Sequence, residues 1–328
     1  MTQFPPQPSP GDGGRIAEGF HSLLKNVEQV ISGKTHAVRL ALTTLLAEGH
    51  LLLEDVPGVG KTSLARAIAA SIGGECRRIQ FTPDLLPSDI TGVSFPPGLD
   101  AARRGDFRFL PGPVFANVVL CDEVNRASPK TQSALLEVME ERQVTVAGTS
   151  HPVPPPFLVV ATQNPVDFDG TYPLPEAQLD RFLMRVRLGY PSEEAEFGLL
   201  RSEGRGLTPE ALSPVMNVDE IGRLAHAATR IVVSDPVHRY IVSLVTATRT
   251  ADPRIRLGAS PRASLALLRA ARVWAAADHR HFVVPEDIRE LAGPVLAHRL
   301  LLTSEADFAR SDAENLITEL LGRLKVPR

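Results

Sequence analysis

The sequence has 328 residues, of which 43% are apolar and 22% are charged, with 35 lysines and arginines against 38 aspartates and glutamates. This composition excludes disordered, collagen-like and coiled-coil proteins, and at ~100–200 residues per domain it is typical of a globular protein of about two domains. The two cysteines lack metal-ligand spacing, which argues against a disulfide framework and a structural zinc site.

Charge and hydropathy also restrict the partners and the location that we expect. The net charge is −3 and the sequence has no dense stripe of lysine and arginine, so we expect no nucleic-acid partner. No apolar run approaches the ~20 residues of a membrane span, and residues 1–14 lack the basic start and apolar stretch of a signal peptide. We therefore expect a cytoplasmic protein without stable membrane insertion.

The N-terminal part predicts a tail, two helices, a strand and a third helix. Residues 1–14 are rich in proline and glycine, which predicts a disordered tail. Apolar residues then recur at helical spacing over 16–31, and a second helix fits 37–47. The apolar run 50–53 predicts a buried strand, and 62–72 predicts the next helix.

Strands then alternate with helices as far as residue 188. The predicted strands are 77–81, 115–121, 157–162 and 184–188, with a helix over 130–142 and a hairpin whose arms, 144–146 and 151–153, turn at Gly148. Segment 84–113 is thick with proline, glycine and aspartate and is predicted to be a long functional loop. This alternation predicts an α/β fold with a parallel sheet and helices on both faces.

After residue 191 the pattern becomes mostly helical. The predicted helices are 192–202, 218–228, 236–250, 260–277 and 285–297. We therefore predict an α/β core over 15–190, a linker over 191–207 and a small, mostly α-helical domain over 208–328.

A strand, a glycine-containing loop and a helix over LLLEDVPGVGKTS predict a phosphate-binding site. Such a loop directs backbone N–H groups and a helix N-terminus at phosphates, while Lys61 adds charge and Thr62 a hydroxyl for Mg²⁺. Asp55 stands at the first glycine position of GxxxxGK[ST], a departure that the strand-loop-helix context offsets. The expected nucleotide-binding residues are Pro57, Gly58, Val59, Gly60, Lys61, Thr62 and Ser63.

Two further strands end in polar residues that suit nucleotide hydrolysis. The apolar strand VVLC ends in Asp122, which can hold the water shell of Mg²⁺ beside Thr62, and in Glu123, which can act as base on the lytic water. The strand VVATQ ends in Asn164, whose amide can contact both the γ-phosphate and the attacking water. The alternative for Asn164 is a turn-forming residue before proline.

The blocks LLEDVPGVGKT, LCDEVNRASPKTQSALLEVMEERQVTV, FLVVATQNP and YPLPEAQLDRFLMRV resemble the MoxR family of AAA+ ATPases, from about Val30 to Pro294. The resemblance implies an AAA+ P-loop core with a helical lid, ATP and Mg²⁺ as ligands, and usually a hexameric ring with nucleotide at the subunit interfaces. It also implies chaperone-like maturation of a protein client, often with a von Willebrand factor A domain partner. Lys61 and Thr62 match Walker A, Asp122 and Glu123 match Walker B, and Asn164 matches sensor 1.

The resemblance also implies arginines that act on nucleotide. Arg181, in LDRF, matches the position of an arginine finger from a neighbouring subunit, with Arg126 and Arg185 as substitutes; the alternative is a structural salt bridge with Asp180. Arg262 matches sensor 2, with cis or trans action left open. As a cation in the first turn of a helix it is locally unfavourable, so a phosphate partner would explain it, and the alternative is a solvated arginine.

The Ile31–Gly33 segment resembles the adenine-contacting loop of the family, although Lys34 stands where glutamine is frequent. Segment 89–109 resembles the family's insert in the second core helix, and 144–153 resembles the hairpin before sensor 1. The hairpin tip lacks the lysine or arginine with which DNA translocases grip phosphates, which favours a protein client. The open alternatives are a chelatase-like metal-insertion motor subunit, a nucleic-acid translocase and a nucleotide-gated scaffold without hydrolysis.

Overall fold

The computed structural model describes residues 12–96, 107–164, 172, 174–201, 206–308 and 312–327. The α/β part contains, in chain order, α1 (Asp12–Glu28), α2 (Thr35–Leu46), β1 (Leu51–Glu54), α3 (Lys61–Ser71), β2 (Cys76–Gln80), α4 (Pro87–Thr91), β3 (Gly92–Phe95), β4 (Arg108–Pro111), β5 (Val118–Asp122), α5 (Pro129–Glu141), β6 (Gln143–Val146), β7 (Thr149–Pro152), β8 (Leu158–Gln163), α6 (Glu176–Leu179) and β9 (Met184–Val186). Helix α1 begins at Asp12, so residues 12–14 of the predicted tail are helical, and residues 1–11 lie outside the described part.

Five of these strands form one parallel sheet in the order β2-β5-β8-β1-β9. Strand β5, between β2 and β8, is buried along its whole length because helices cover both faces of the sheet. Helices α1, α2 and α3 share an apolar core with one face, while α5 packs with the other face. The predicted α/β class with a parallel sheet is confirmed, and β8 lies between the strands that carry the loop and the two acids.

Two small antiparallel strand pairs are separate from this sheet. Segment 84–113, predicted to be a long loop, contains α4 and pairs β3 with β4, with Val93 opposite Leu110, so the prediction was wrong at both ends of the segment. Gly92 permits the pairing: its φ is +98°, and a Cβ there would lie 2.3 Å from the backbone oxygen of Leu110. Residues 97–106 of the segment lie outside the described part. The other hairpin pairs β6 with β7 around Ala147 and Gly148, as predicted.

The C-terminal part is mostly helical. It contains α7 (Glu193–Arg201), α8 (Val218–Ala228), α9 (Asp235–Thr250), β10 (Ile255–Leu257), α10 (Pro261–Ala277), α11 (Pro285–Leu296), β11 (Leu301–Leu302), α12 (Ser304–Phe308) and α13 (Ala313–Arg323). The short β10–β11 pair and α13 have no counterpart among the predicted elements. Helix α10 packs against α1 and α11, so the apolar core runs without interruption from the sheet into the helical part. Among the described helices, none combines the length and the apolar character needed to cross a bilayer.

Candidate functional site

The loop between β1 and α3 forms an open cradle at the carboxyl edge of the sheet. Gly58 and Gly60 have φ values of +85° and +97°, a left-handed conformation that favours glycine. A Cβ at Gly58 would meet no heavy atom within 4 Å, so the backbone of the loop faces open space. Because α3 begins at Lys61, its free N–H groups and its positive dipole end lie beside this space. The cradle therefore has the shape and polarity that a phosphate requires.

Lys61 lies among acidic groups in this cradle. Its Nζ donates to the backbone oxygen of Asp55 at 2.6 Å. Burial lowers the pKa of Lys61, while the carboxylates of Asp55, Asp122 and Glu123 oppose that shift. The lysine of the loop thus lies within electrostatic range of both acids at the end of β5.

Asp55, which breaks the phosphate-loop pattern at its first glycine position, has a structural role. It is 8% exposed, and its Oδ2 accepts from the backbone N–H of Gly189 at 2.6 Å, while Oδ1 accepts from the N–H of Val56 at 3.0 Å. Nearby, Lys34 Nζ donates to the backbone oxygen of Tyr190. Asp55 thus fastens the start of the loop to the segment that leads from the sheet into the helical part.

The two acids at the end of β5 have different surroundings. Asp122 is 8% exposed; its Oδ2 lies 2.6 Å from Arg78 Nε, and its Oδ1 accepts from the hydroxyl of Thr162 at 3.2 Å. Glu123 is half-buried and has a φ of +56°, which a non-glycine residue rarely adopts. Its Oε2 accepts from Gln80 Nε2 at 3.0 Å.

Sequence reasoning missed the polar partners on β2. Arg78 and Gln80 are two residues apart, so they lie on the same side of the strand, and Arg78 Nη2 also donates to Gln80 Oε1 at 2.8 Å. The sequence offered only this spacing as a signal, and it is the pairing of β2 with β5 that places Gln80 opposite Asp122. The pairing becomes visible only in the folded sheet.

Asn164 and Ile31 flank the same edge. Asn164 directly follows β8 and is 9% exposed, and its strand lies between β5 and β1 as predicted. Ile31 is buried, and its Cδ1 lies 3.8 Å from the position that a Cβ on Gly60 would take. The segment that includes Gly33, whose φ is +74°, therefore lies against the phosphate loop.

The oxygen donors of this edge fit a magnesium ion. The hydroxyl of Thr62, on the first turn of α3, and the carboxylate of Asp122 are the hard oxygen ligands that Mg²⁺ takes in nucleotide sites. Asp122 is nine-tenths buried and bears a charge that Arg78 now compensates, so a divalent cation could replace part of that compensation.

Two of the four arginines named from sequence, Arg181 and Arg262, lie away from this edge. Glu140, near the end of α5, binds Arg181 at 2.9 Å and Arg262 at 2.5 Å. The preceding residue, Met139, accepts from Nε2 of His50, which stands directly before β1. Lys61 follows the opposite end of β1, and a strand of four residues spans ~13 Å. Arg181 and Arg262 are thus paired with each other through Glu140 and separated from the chain's own phosphate loop by the height of the sheet.

Within the chain, the partner of Arg181 and Arg262 is not one that the sequence suggested for either side chain. Asp180, the alternative partner of Arg181, instead binds Arg299 and accepts from the Ser260 hydroxyl at 2.7 Å. Arg262, for which a phosphate or solvent was expected, has the Glu140 carboxylate as its partner within the chain. Glu140 offsets the unfavourable position of this cation at the start of α10.

The two substitutes for the finger occupy other environments. Arg126 lies 3.4 Å from the Glu123 carboxylate of its own chain. The side chain of Arg185 is 14% exposed and binds Glu54 at 3.2 Å and Glu314 at 3.3 Å, which ties β9 and β1 to α13. Arg181 is more exposed than Arg185, at 30%, and it alone of the three shares a carboxylate with Arg262.

Comparison with known proteins agrees with this architecture. Residues 50–184 match the model of the ATPase family associated with various cellular activities, and residues 247–320 match the AAA lid domain. The YeaC protein of Bacillus subtilis is 48% identical over 94% of this chain and 97% of its own length. Chaperone MoxR1 of Mycobacterium tuberculosis is 41% identical over 97% of this chain and 86% of its own length. A solved structure from Cytophaga hutchinsonii has a TM-score of 0.88 and 36% identity, covering 97% of each chain.

Proposed function

The chain belongs to the MoxR family of AAA+ ATPases, and from this premise we propose that it hydrolyses ATP with Mg²⁺ to remodel or mature a protein complex. The observation that carries the proposal is that Lys61, beside an open glycine cradle, lies within electrostatic range of Asp122 and Glu123. Asn164 ends the strand between those that carry these groups. A phosphate-binding loop, a pair of acids and an amide at one sheet edge suit phosphoryl transfer to water.

In the proposed reaction, ATP phosphates take the place of the Asp55 carbonyl as the partner of Lys61. Thr62 and Asp122 would hold Mg²⁺, which supplies positive charge to the β- and γ-phosphates when bound. Glu123 accepts the proton of the attacking water, and the Asn164 amide orients that water against the γ-phosphate. Since Glu123 Oε2 is bonded to Gln80, general-base action requires that this bond be exchanged for one to water.

We further propose that Arg181 and Arg262 act on the nucleotide of a neighbouring subunit. Their position at the edge of the sheet opposite Lys61 leaves them without access to their own nucleotide. Two guanidinium groups on one exposed edge and an open phosphate cradle on the other edge are complementary surfaces. Repetition of that head-to-tail contact closes a ring, for which a hexamer is proposed.

The proposed partner is a protein client in the cytoplasm, with a von Willebrand factor A domain protein as a candidate. The turn of the β6–β7 hairpin, Ala147-Gly148, carries no charge. The arginine pair on β2 is already engaged by acids of the same chain, Arg77 by Glu75 and Arg78 by Asp122, each at 2.6 Å. Cations that are neutralised within the chain contribute little to phosphate binding, so a nucleic-acid partner is not proposed.

Steady-state hydrolysis and nucleotide binding test the proposed chemistry. Glu123→Gln should bind ATP normally and turn over ~10²–10⁴-fold more slowly, because general-base catalysis contributes a factor of that size. Lys61→Ala should lose ATP binding. Glu194→Gln, which removes an exposed carboxylate from α7, is the matched control and should behave as wild type. Full turnover in Glu123→Gln would overturn the assignment of the base.

A further inference from the structure

We propose that Glu140 is a positioning residue that holds Arg181 and Arg262 together for the nucleotide of the neighbouring subunit, an inference that rests on the proposed function. Its Oε2 lies 2.9 Å from Arg181 Nη2, and its Oε1 lies 2.5 Å from Arg262 Nη2. Each oxygen of the carboxylate therefore serves one guanidinium. Arg181 follows α6 in the α/β part and Arg262 stands in the first turn of α10, so Glu140 joins the two parts of the chain at this point.

The charges around Glu140 show why the two arginines need a shared anion. A cavity of about 520 Å³ adjoins them. Among the residues that the structure describes, its walls carry six arginines and three carboxylates, those of Glu48, Glu140 and Asp180; the arginines are Arg142, Arg181, Arg262, Arg269, Arg272 and Arg299. Like charges at this density repel one another, and Glu140 is the carboxylate that offsets the repulsion between Arg181 and Arg262.

Other charged groups of the cavity add to the repulsion or are already paired. Among the described residues, Arg269 and Arg272 have no hydrogen-bond or ion-pair partner, and Arg272 Nε is buried without an acceptor. Burial lowers the pKa of Arg269, and the charge of Arg142 lowers it further. Asp180 is already bound to Arg299. Loss of the Glu140 charge would therefore leave Arg181 and Arg262 in a field that drives them apart.

A single carboxylate contact leaves both arginines able to bind phosphate. A guanidinium has five N–H donors, and the ion pairs with Glu140 involve one nitrogen of each side chain. Side chains that are held in place before the ligand arrives lose less conformational entropy when they bind it. Glu140 thus presents two guanidinium groups at a fixed separation to an incoming γ-phosphate.

The test compares Glu140→Gln with Glu137→Gln, its matched control. Glu137 lies one turn earlier on α5, is exposed, and has no partner among the described residues. Glu140→Gln should lower kcat about tenfold or more while the Kd for ATP in isolated subunits stays unchanged, because the affected arginines do not contact their own nucleotide. Glu137→Gln should keep the kcat of wild type. Equal kcat for wild type and Glu140→Gln would overturn the inference.

Mixed assemblies distinguish positioning from a structural role. Glu140→Gln subunits keep their own base, and Glu123→Gln subunits keep their arginines, so interfaces that pair the two should recover hydrolysis. Recovery supports the inference, whereas a loss of kcat that mixing does not recover would contradict it, as would a raised Kd for ATP. If Glu140→Gln is normal while Arg181→Ala is slow, only the role of Glu140 fails. If wild type does not hydrolyse ATP, the proposed function itself fails.

Discussion

Three candidate catalytic side chains at the carboxyl edge of the sheet already have partners from their own chain. Lys61 donates to the Asp55 carbonyl, Asp122 binds Arg78, and Glu123 accepts from Gln80. Nucleotide binding must therefore exchange existing hydrogen bonds and ion pairs rather than fill an unsatisfied site. Because such an exchange costs little where both partners are polar, the site can remain stable without nucleotide and still bind it.

Arg78 should compete with Mg²⁺ for the Asp122 carboxylate. Removing its charge in Arg78→Gln should lower the Mg²⁺ concentration for half-maximal ATP hydrolysis about threefold to tenfold, since two cations near one carboxylate repel. Arg77→Gln is the control, because the Arg77 side chain binds Glu75 instead. Magnesium titrations of hydrolysis rate check this. A higher requirement in Arg78→Gln would mean that Arg78 orients Asp122 and does not compete for it.

The sequence predicts the location of a side chain well when that side chain lies at the end of a sheet strand. It predicts the location poorly when the neighbours depend on how helices pack. Asp122 ends β5, while Lys61 and Asn164 follow β1 and β8 of the same parallel sheet, and the carboxyl ends of such strands meet at one edge. The contact between Glu140 and Arg262 joins residues 122 positions apart in the sequence. It depends on how α10 docks on α5, which no local pattern encodes.

Among the secondary-structure elements, too, those with a clear local pattern were predicted and those that depend on pairing or packing were not. The buried strands and the long helices have clear apolar periodicity, so the predicted strand 157–162 corresponds to β8 and the predicted helix 260–277 to α10. The strand predicted to begin at 115 begins at Val118, because pairing with β2 and β8 starts there. The β3–β4 pair was not predicted because its segment is rich in proline and glycine. Two short strands of mixed polarity also give the sequence pattern of a loop.

His50 links three elements of the sheet layer and makes their packing sensitive to pH. Its Nε2 donates to the Met139 carbonyl at 3.0 Å, and its Nδ1 accepts from the Val159 N–H at 3.1 Å, so the ring is neutral. Burial lowers the pKa of His50 to about 3 from 6.5. Burial also lowers the pKa of His298.

The free energy of unfolding should therefore fall as the pH falls below 6.5, because the unfolded chain then binds protons that the folded chain excludes. Between pH 7.5 and 5.5 His50 should account for a loss of about 1.4 kcal/mol. Urea unfolding at the two pH values checks this. His50→Gln should be less stable at both and should lack that part of the pH dependence; an unchanged pH dependence in the variant would contradict the assignment.

At the scale of the whole molecule, the phosphate cradle and the pair of Arg181 and Arg262 lie at opposite edges of the sheet. One continuous apolar core joins α1 and α2 to the sheet and to α10, and burial of each large apolar side chain stabilises it by about 1.5–3 kcal/mol. This core limits how far the helical part can move relative to the sheet. Arg262 consequently cannot reach the chain's own phosphate loop by a small rearrangement, and the proposed assembly of subunits would supply the missing contact.

A mixing experiment with two inactive variants tests this central claim most directly. Arg181→Ala subunits keep Glu123, and Glu123→Gln subunits keep Arg181, so neither hydrolyses ATP alone if the finger acts between subunits. We predict that mixing them at a fixed total concentration restores hydrolysis at interfaces that pair an intact base with an intact arginine, and that wild-type turnover per subunit rises with protein concentration. Turnover that is independent of concentration, with Arg181→Ala as active as wild type, would contradict the account.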